Sequence, residues 1–97
     1  MELGFLYSPV DVQMLLAERI KLARRQKGWT QKEMAKRADI PLSTYARIEQ
    51  LGEGSLRHLA KILTVLGRAD ELEKILIPYE KTPVEEYEEY QRKKRRK

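Results

Sequence analysis

Apolar residues in this chain recur at three- and four-residue intervals, and no β-branched alternation of strand length occurs. Met34, Ala35 and Ala38 fall at helical spacing, Leu15 and Leu22 form an apolar line in the segment before them, and Leu72, Ile75, Leu76 and Ile77 cluster further on. Start and stop residues divide the pattern into six helices. Ser8-Pro9-Val10-Asp11 supplies a capping Ser, a Pro at the first helical position and an acid three after the cap, and Gly28 ends a helix over 9–27. Thr30-Gln31-Lys32-Glu33 is a capping box that opens a short helix, 31–38, closed by Asp39 and Pro41. A third helix, 42–50, stops at Leu51-Gly52-Glu53-Gly54, which holds too much glycine to continue it.

Ser55 caps a fourth helix that Gly67 stops, and a fifth is expected over 69–76, with acids near its start and Pro78 just past its end. Thr82-Pro83-Val84-Glu85 opens a sixth. Its acids Glu85, Glu86, Glu88 and Glu89 come first and its bases last, the order favoured by the helix macrodipole. The chain therefore reads as all-α.

The second and third helices are separated by three residues, so they cannot lie antiparallel and must meet at a steep angle. Such a turn needs a residue tolerant of left-handed backbone, and Asp39 is placed for it. Met34 and Ala35 point inward and Ile40 and Ile48 fill the angle. Leu42, Ser43, Thr44 and Arg47 are left on the outward face of the third helix.

Composition narrows the chemistry. The 97 residues include no Cys and a single His, which leaves no disulfide framework, no thiolate site and no metal centre, since His58 has no second ligand in view. No nucleophile, His or acid pair occurs at a catalytic spacing, so neither an enzyme nor a cofactor is expected. Gly52-Glu53-Gly54 lacks the preceding strand and the Lys-Ser/Thr of a nucleotide loop, and the 85–89 acids read as a solvated helix start. The N-terminus has no basic region followed by an apolar stretch, and no apolar run is long enough to span a membrane. These features predict a soluble, unprocessed, cytoplasmic protein.

The net charge of +5 is unevenly spread: residues 12–50 carry +5, residues 51–91 carry −4, and all six residues from Arg92 to Lys97 are basic. That pattern suggests one side facing a polyanion. Two readings stand for the tail, phosphate contact or simple solubilisation.

The residues Arg19-Ile20, Arg24, Gly28-Trp29-Thr30-Gln31, Met34-Ala35, Ala38, Ile40, Ser43-Thr44 and Arg47-Ile48-Glu49 resemble, in order and spacing, the Xre helix-turn-helix family of phage repressors and Cro. The resemblance continues through Ser55-Leu56, Leu59-Ala60 and Leu66-Gly67, about two-thirds of the chain. It implies a compact five-helix repressor-like domain over 1–81, with its helix-turn-helix at 30–50, followed by a C-terminal helix and basic tail over 82–97. It further implies base reading by Leu42, Ser43, Thr44 and Arg47, and phosphate contacts from Thr30, Gln31, Lys32 and Ser55. Arg47 suits guanine O6 and N7, and Leu42 and the Thr44 methyl suit a thymine methyl. An internal Arg24–Glu49 ion pair and an inward Tyr45 follow from the same resemblance. Two departures stand out: Asp39 occupies a position where many members have Gly, and Leu42 replaces an often polar base-reading residue.

The Gln50–Leu56 junction, Leu66-Gly67 and Asp70-Glu71-Leu72-Glu73 also resemble regulators encoded beside Hip-type kinases, which implies an antitoxin that represses its own operon and binds a kinase toxin. The function expected is that of a sequence-specific double-stranded DNA-binding repressor acting as a homodimer on an inverted repeat. Candidates for the dimer interface are Leu63, Leu66, Leu72, Ile75, Leu76 and Ile77. The runner-up is a module that binds a toxin or another protein without reading DNA. Trp29 is expected to pack as a staple on the second helix rather than stack on a base, and Tyr87 and Tyr90 to dock on the body.

Overall fold

The computed structural model describes residues 8–78 and 82–95. Expectations resting on the first seven residues, and on the last two of the basic tail, lie outside that range. The described residues form six helical elements: α1 (Pro9–Gln26), α2 (Gln31–Ala38), α3 (Leu42–Leu51), α4 (Leu56–Val65), a 3-10 helix (Ala69–Lys74) and α5 (Pro83–Arg95). No strand occurs among the described residues. The chain divides after Gly67 into two compact units, α1–α4 and the remainder.

Local chemistry accounts for the helix ends. The Asp11 amide donates to Ser8 Oγ at 3.2 Å and the Ser8 amide to the Asp11 carboxylate at 3.1 Å. Thr30 and Glu33 make the same reciprocal pair at 3.1 and 3.2 Å. At α4 the box is completed by an imidazole: His58 N–H donates to Ser55 Oγ at 3.1 Å, and Ser55 N–H donates to His58 Nδ1 at 3.2 Å. Each box satisfies amides that a helix's first turn leaves without an intrahelical acceptor. Asp39 adopts the left-handed conformation expected of it, with φ 56° and ψ 52°.

In the first unit α1 packs on α3, α3 on α2, and α2 on α4. Ile20 and Ala23 of α1, Met34, Ala35 and Ala38 of α2, Ile40 of the turn, Tyr45 and Ile48 of α3, Ile62 of α4 and the following Leu66 form one core. Tyr45, Met34 and Ile62 are the largest fully buried side chains, and each apolar side chain so enclosed contributes about 1.5–3 kcal/mol. Ala35 matters by its size, because a methyl group lets the neighbouring helix approach. Trp29 packs against this core, as its staple position predicts.

Three expectations change. The fifth helix is a 3-10 segment rather than an α-helix reaching Leu76: Ile75 is already extended and Leu76 has φ 54°. Arg68 pairs with Glu71 three residues on, and 3-10 geometry stacks such positions; Pro78 also disfavours α conformation at the residue before it. Leu63 and Leu66, expected at a dimer interface, instead serve the chain's own core: Leu66 is buried and Leu63 packs against the cluster. Tyr87 and Tyr90 are largely exposed on α5, and within the second unit they line a cleft with Leu72, Ile75, Pro83 and Val84.

Candidate nucleic-acid interface

The α2–turn–α3 unit is locked from beneath by one carboxylate. Arg24 on α1 donates from Nε to Glu49 Oε2 at 2.7 Å and from Nη2 to Glu49 Oε1 at 3.1 Å, while its Nη1 holds the Trp29 carbonyl at 2.7 Å. Gln31 at the start of α2 donates to Glu49 Oε1 at 3.0 Å, and the Tyr45 hydroxyl donates to Glu49 Oε2. Among the described residues, no buried side-chain nitrogen or oxygen lacks a partner. Burial alone would raise the Glu49 pKa, but hydrogen bonds from Arg24, Tyr45 and Gln31 outweigh it and hold the carboxyl below its ordinary value. The Tyr45 hydroxyl is pushed up, first by burial and then by the Glu49 carboxylate it serves. Arg24 is raised chiefly by its hydrogen bond to Glu49.

Because Gln31 and Glu49 touch, the first turn of α2 lies beside the last turn of α3. At that turn Thr30 Oγ1 is used on Glu33, which leaves the Gln31 and Lys32 amides with no intrahelical acceptor. The α3 terminus has the same character: its N-cap is Pro41, which makes no side-chain cap, so the amides of Leu42, Ser43 and Thr44 point out of the helix end. Each of these helix starts presents outward amides, and such positive ends suit an anionic backbone.

Along α3, Leu42, Ser43 and Arg47 are exposed and Thr44 is half-buried. Tyr45, Ile48 and Glu49 turn inward. Lys32, Lys36 and Arg37 are exposed on α2, and the Arg37 guanidinium lies 4.4 Å from the centroid of the Trp29 ring. Of the expected phosphate contacts, Thr30 and Lys32 are exposed, Gln31 is half-buried with its amide nitrogen on Glu49, and the Ser55 hydroxyl is engaged in its own cap. Thus Gln31 has its backbone amide and side-chain oxygen left for an outside partner. Arg47 is not free either, since Nε and Nη2 donate to Glu53 Oε1 at 3.2 and 2.6 Å.

Tyr45 was expected to face inward and Glu49 to pair with Arg24, but two contacts escaped the sequence reading, that of the Tyr45 hydroxyl with Glu49 and that of Glu53 with Arg47. Tyr45 and Glu49 stand four apart on one helix, a spacing that places side chains together, so the hydroxyl's role was inferable. Glu53 gave no comparable signal, since it follows the helix in a glycine-flanked loop.

The helix-turn-helix family model matches residues 20–72, more than half of the chain. The chain belongs to the helix-turn-helix family. The match covers the last two turns of α1, all of α2, α3 and α4, and most of the 3-10 helix. Neither a curated protein nor a solved structure matches the chain. As a helix-turn-helix protein it is a DNA-binding transcription regulator, and its double-stranded target is consistent with the uncapped start of α3 and that helix's exposed face. Among the described residues no helix is long and apolar enough to cross a membrane, and no group of three or more His, Cys, Asp or Glu is placed to hold a metal ion.

Proposed function

We propose that this helix-turn-helix protein is a sequence-specific repressor in which α3 enters the major groove and the first turn of α2 holds the flanking phosphates. The observation that carries the reading is the uncapped, outward start of α3, where Leu42, Ser43 and Arg47 are exposed while Tyr45 and Glu49 anchor the opposite face. Arg47 reads guanine, and Leu42 with the Thr44 methyl meets thymine. Lys32 and the α2 amides contribute sequence-independent affinity.

The protein acts as a homodimer on two half-sites about one helical turn apart. Support for self-association comes from the second unit, where Ile75 is 55% and Leu76 93% exposed. An apolar side chain that open to water is stabilised when a second copy covers it. The DNA-binding domain is assigned to 1–81 and the C-terminal helix with its basic tail to 82–97, a functional division that differs from the structural one after Gly67. The antitoxin role, with a Hip-type kinase as partner, rests on the resemblance around residues 50–56 and 66–73 alone.

Selection of bound duplexes from a random pool tests the core of this reading. An enriched inverted repeat with half-sites about 10 bp apart is expected. No enriched sequence overturns it and favours a module that binds protein without reading DNA. Leu76→Glu should shift the protein to monomer in sedimentation; unchanged mass removes this residue from the interface.

A further inference from the structure

Arg47, the strongest base reader on α3, is held by a residue outside the helix. Its Nε and Nη2 both donate to one oxygen of Glu53, at 3.2 and 2.6 Å. Both side chains are more than half exposed, so the pair adds little to stability. Its position is nevertheless defined, because the backbone on either side of Glu53 is pinned. Gly52 sits at φ 69°, its amide donates to the Ile48 carbonyl at 2.9 Å, and its own carbonyl accepts from Gln13 Nε2 at 3.3 Å. A Cβ on Gly52 would fall 2.9 Å from the Gln13 Cβ, and one on Gly54 would fall 3.1 Å from Ile48 Cγ1. The loop therefore runs tight against α1 and α3 and delivers the carboxylate to Arg47.

We infer that Glu53 is a specificity-determining residue of the DNA interface, which positions Arg47 for guanine and withholds it from phosphate. The inference rests on the reading of α3 as the recognition helix. A guanidinium carries five N–H donors in a planar fork. Glu53 takes the Nε side, which leaves the Nη1–Nη2 edge with two parallel donors, the arrangement that matches guanine O6 and N7. An unpartnered arginine on this face would be drawn to any phosphate, raising affinity for every duplex. With Glu53 in place that exchange gains little, because the cation already has an anionic partner and the carboxylate repels a second anion. Discrimination improves by weakening the wrong complexes, not only by strengthening the right one.

The test compares binding to the duplex enriched by the wild-type chain and to a scrambled duplex of equal length, by fluorescence anisotropy over a range of salt. Variants are Glu53→Gln, Arg47→Ala, the double variant, and Glu18→Gln as a control for losing one exposed acid from the first unit. Glu53→Gln should tighten binding to the scrambled duplex more than Glu18→Gln does. It should also lower the ratio of the two affinities about fivefold, the low end of what one bidentate base contact discriminates. In the Arg47→Ala background, Glu53→Gln should do no more than the control. Equal tightening on both duplexes, an effect no larger than the control's, or the same effect without Arg47 each overturns the role of Glu53 while leaving the recognition helix standing. A wild-type chain that enriches no duplex overturns both readings.

Discussion

Glu49 on α3 receives Arg24 from α1 along both of its oxygens, at 2.7 and 3.1 Å, with the arginine side chain 9% and the glutamate side chain 2% exposed. The same carboxylate collects Gln31 from α2 and Tyr45 from its own helix, so one buried charge determines how three helices of the regulator meet. Enclosing two charges is costly, and this site offsets the cost by giving every polar atom a partner.

Breaking the pair leaves a charge buried alone. Glu49→Ala should lower unfolding free energy by about 3–5 kcal/mol, read as a fall in the urea midpoint. Arg24→Ala should cost a similar amount. The double variant should cost less than the sum of the two, since neither partner is then stranded. Additive losses would show that the two residues stabilise the fold separately.

The pH dependence follows from the directions of the shifts. The Glu49 carboxyl is lowered in the folded state, so its contribution is present above the unfolded carboxyl value of about 4.3 and is lost as pH falls through the lower folded value. Tyr45 is raised, so its contribution is present below the unfolded tyrosine value of about 10 and is lost as pH rises beyond it. Glu49→Gln should flatten the acid side of a stability-against-pH curve, and Tyr45→Phe should flatten the alkaline side. A curve unchanged in Tyr45→Phe would contradict the hydroxyl's role.

Removal of the two kinds of DNA contact should look different. Arg47→Ala is expected to relax preference at one base position per half-site, at a cost of about 1–3 kcal/mol on the matched duplex. Lys32→Ala should weaken all duplexes alike and reduce the salt slope by about one. Base preference unchanged by Arg47→Ala would remove α3 from the role of reader.

Gly52 combines a left-handed backbone with a close approach. Gly52→Ala would set a methyl group 2.9 Å from the Gln13 side chain and 3.0 Å from its carbonyl carbon, atoms of α1 that cannot swing away. A loss of about 1–3 kcal/mol is expected in thermal or urea unfolding, as for strained left-handed residues with overpacking. Gly28→Ala, also at positive φ but with nothing within 4 Å of the added carbon, should lose less.

What the sequence determined by itself was the set of features that depend on neighbours in the chain. Ser8, Thr30 and Ser55 announced their helices because capping is a contact over three residues, and Asp39 marked the turn because its backbone preference is its own property. The inward row of Met34, Ala35 and Ala38 was legible as a helical period. The 3-10 segment was not, since Ala69–Lys74 has no side-chain cap and its acids are compatible with either helix type. Leu63 and Leu66 looked like surface for a second copy because an apolar side chain does not say which neighbour covers it, and only packing gave them to the chain's own core. Likewise Gln31 and Arg47 were recognisable as donors suited to DNA. That Glu49 already holds one and Glu53 the other depends on distances between separate elements, and such distances exist only once the core has brought α2, α3 and the glycine-flanked loop together.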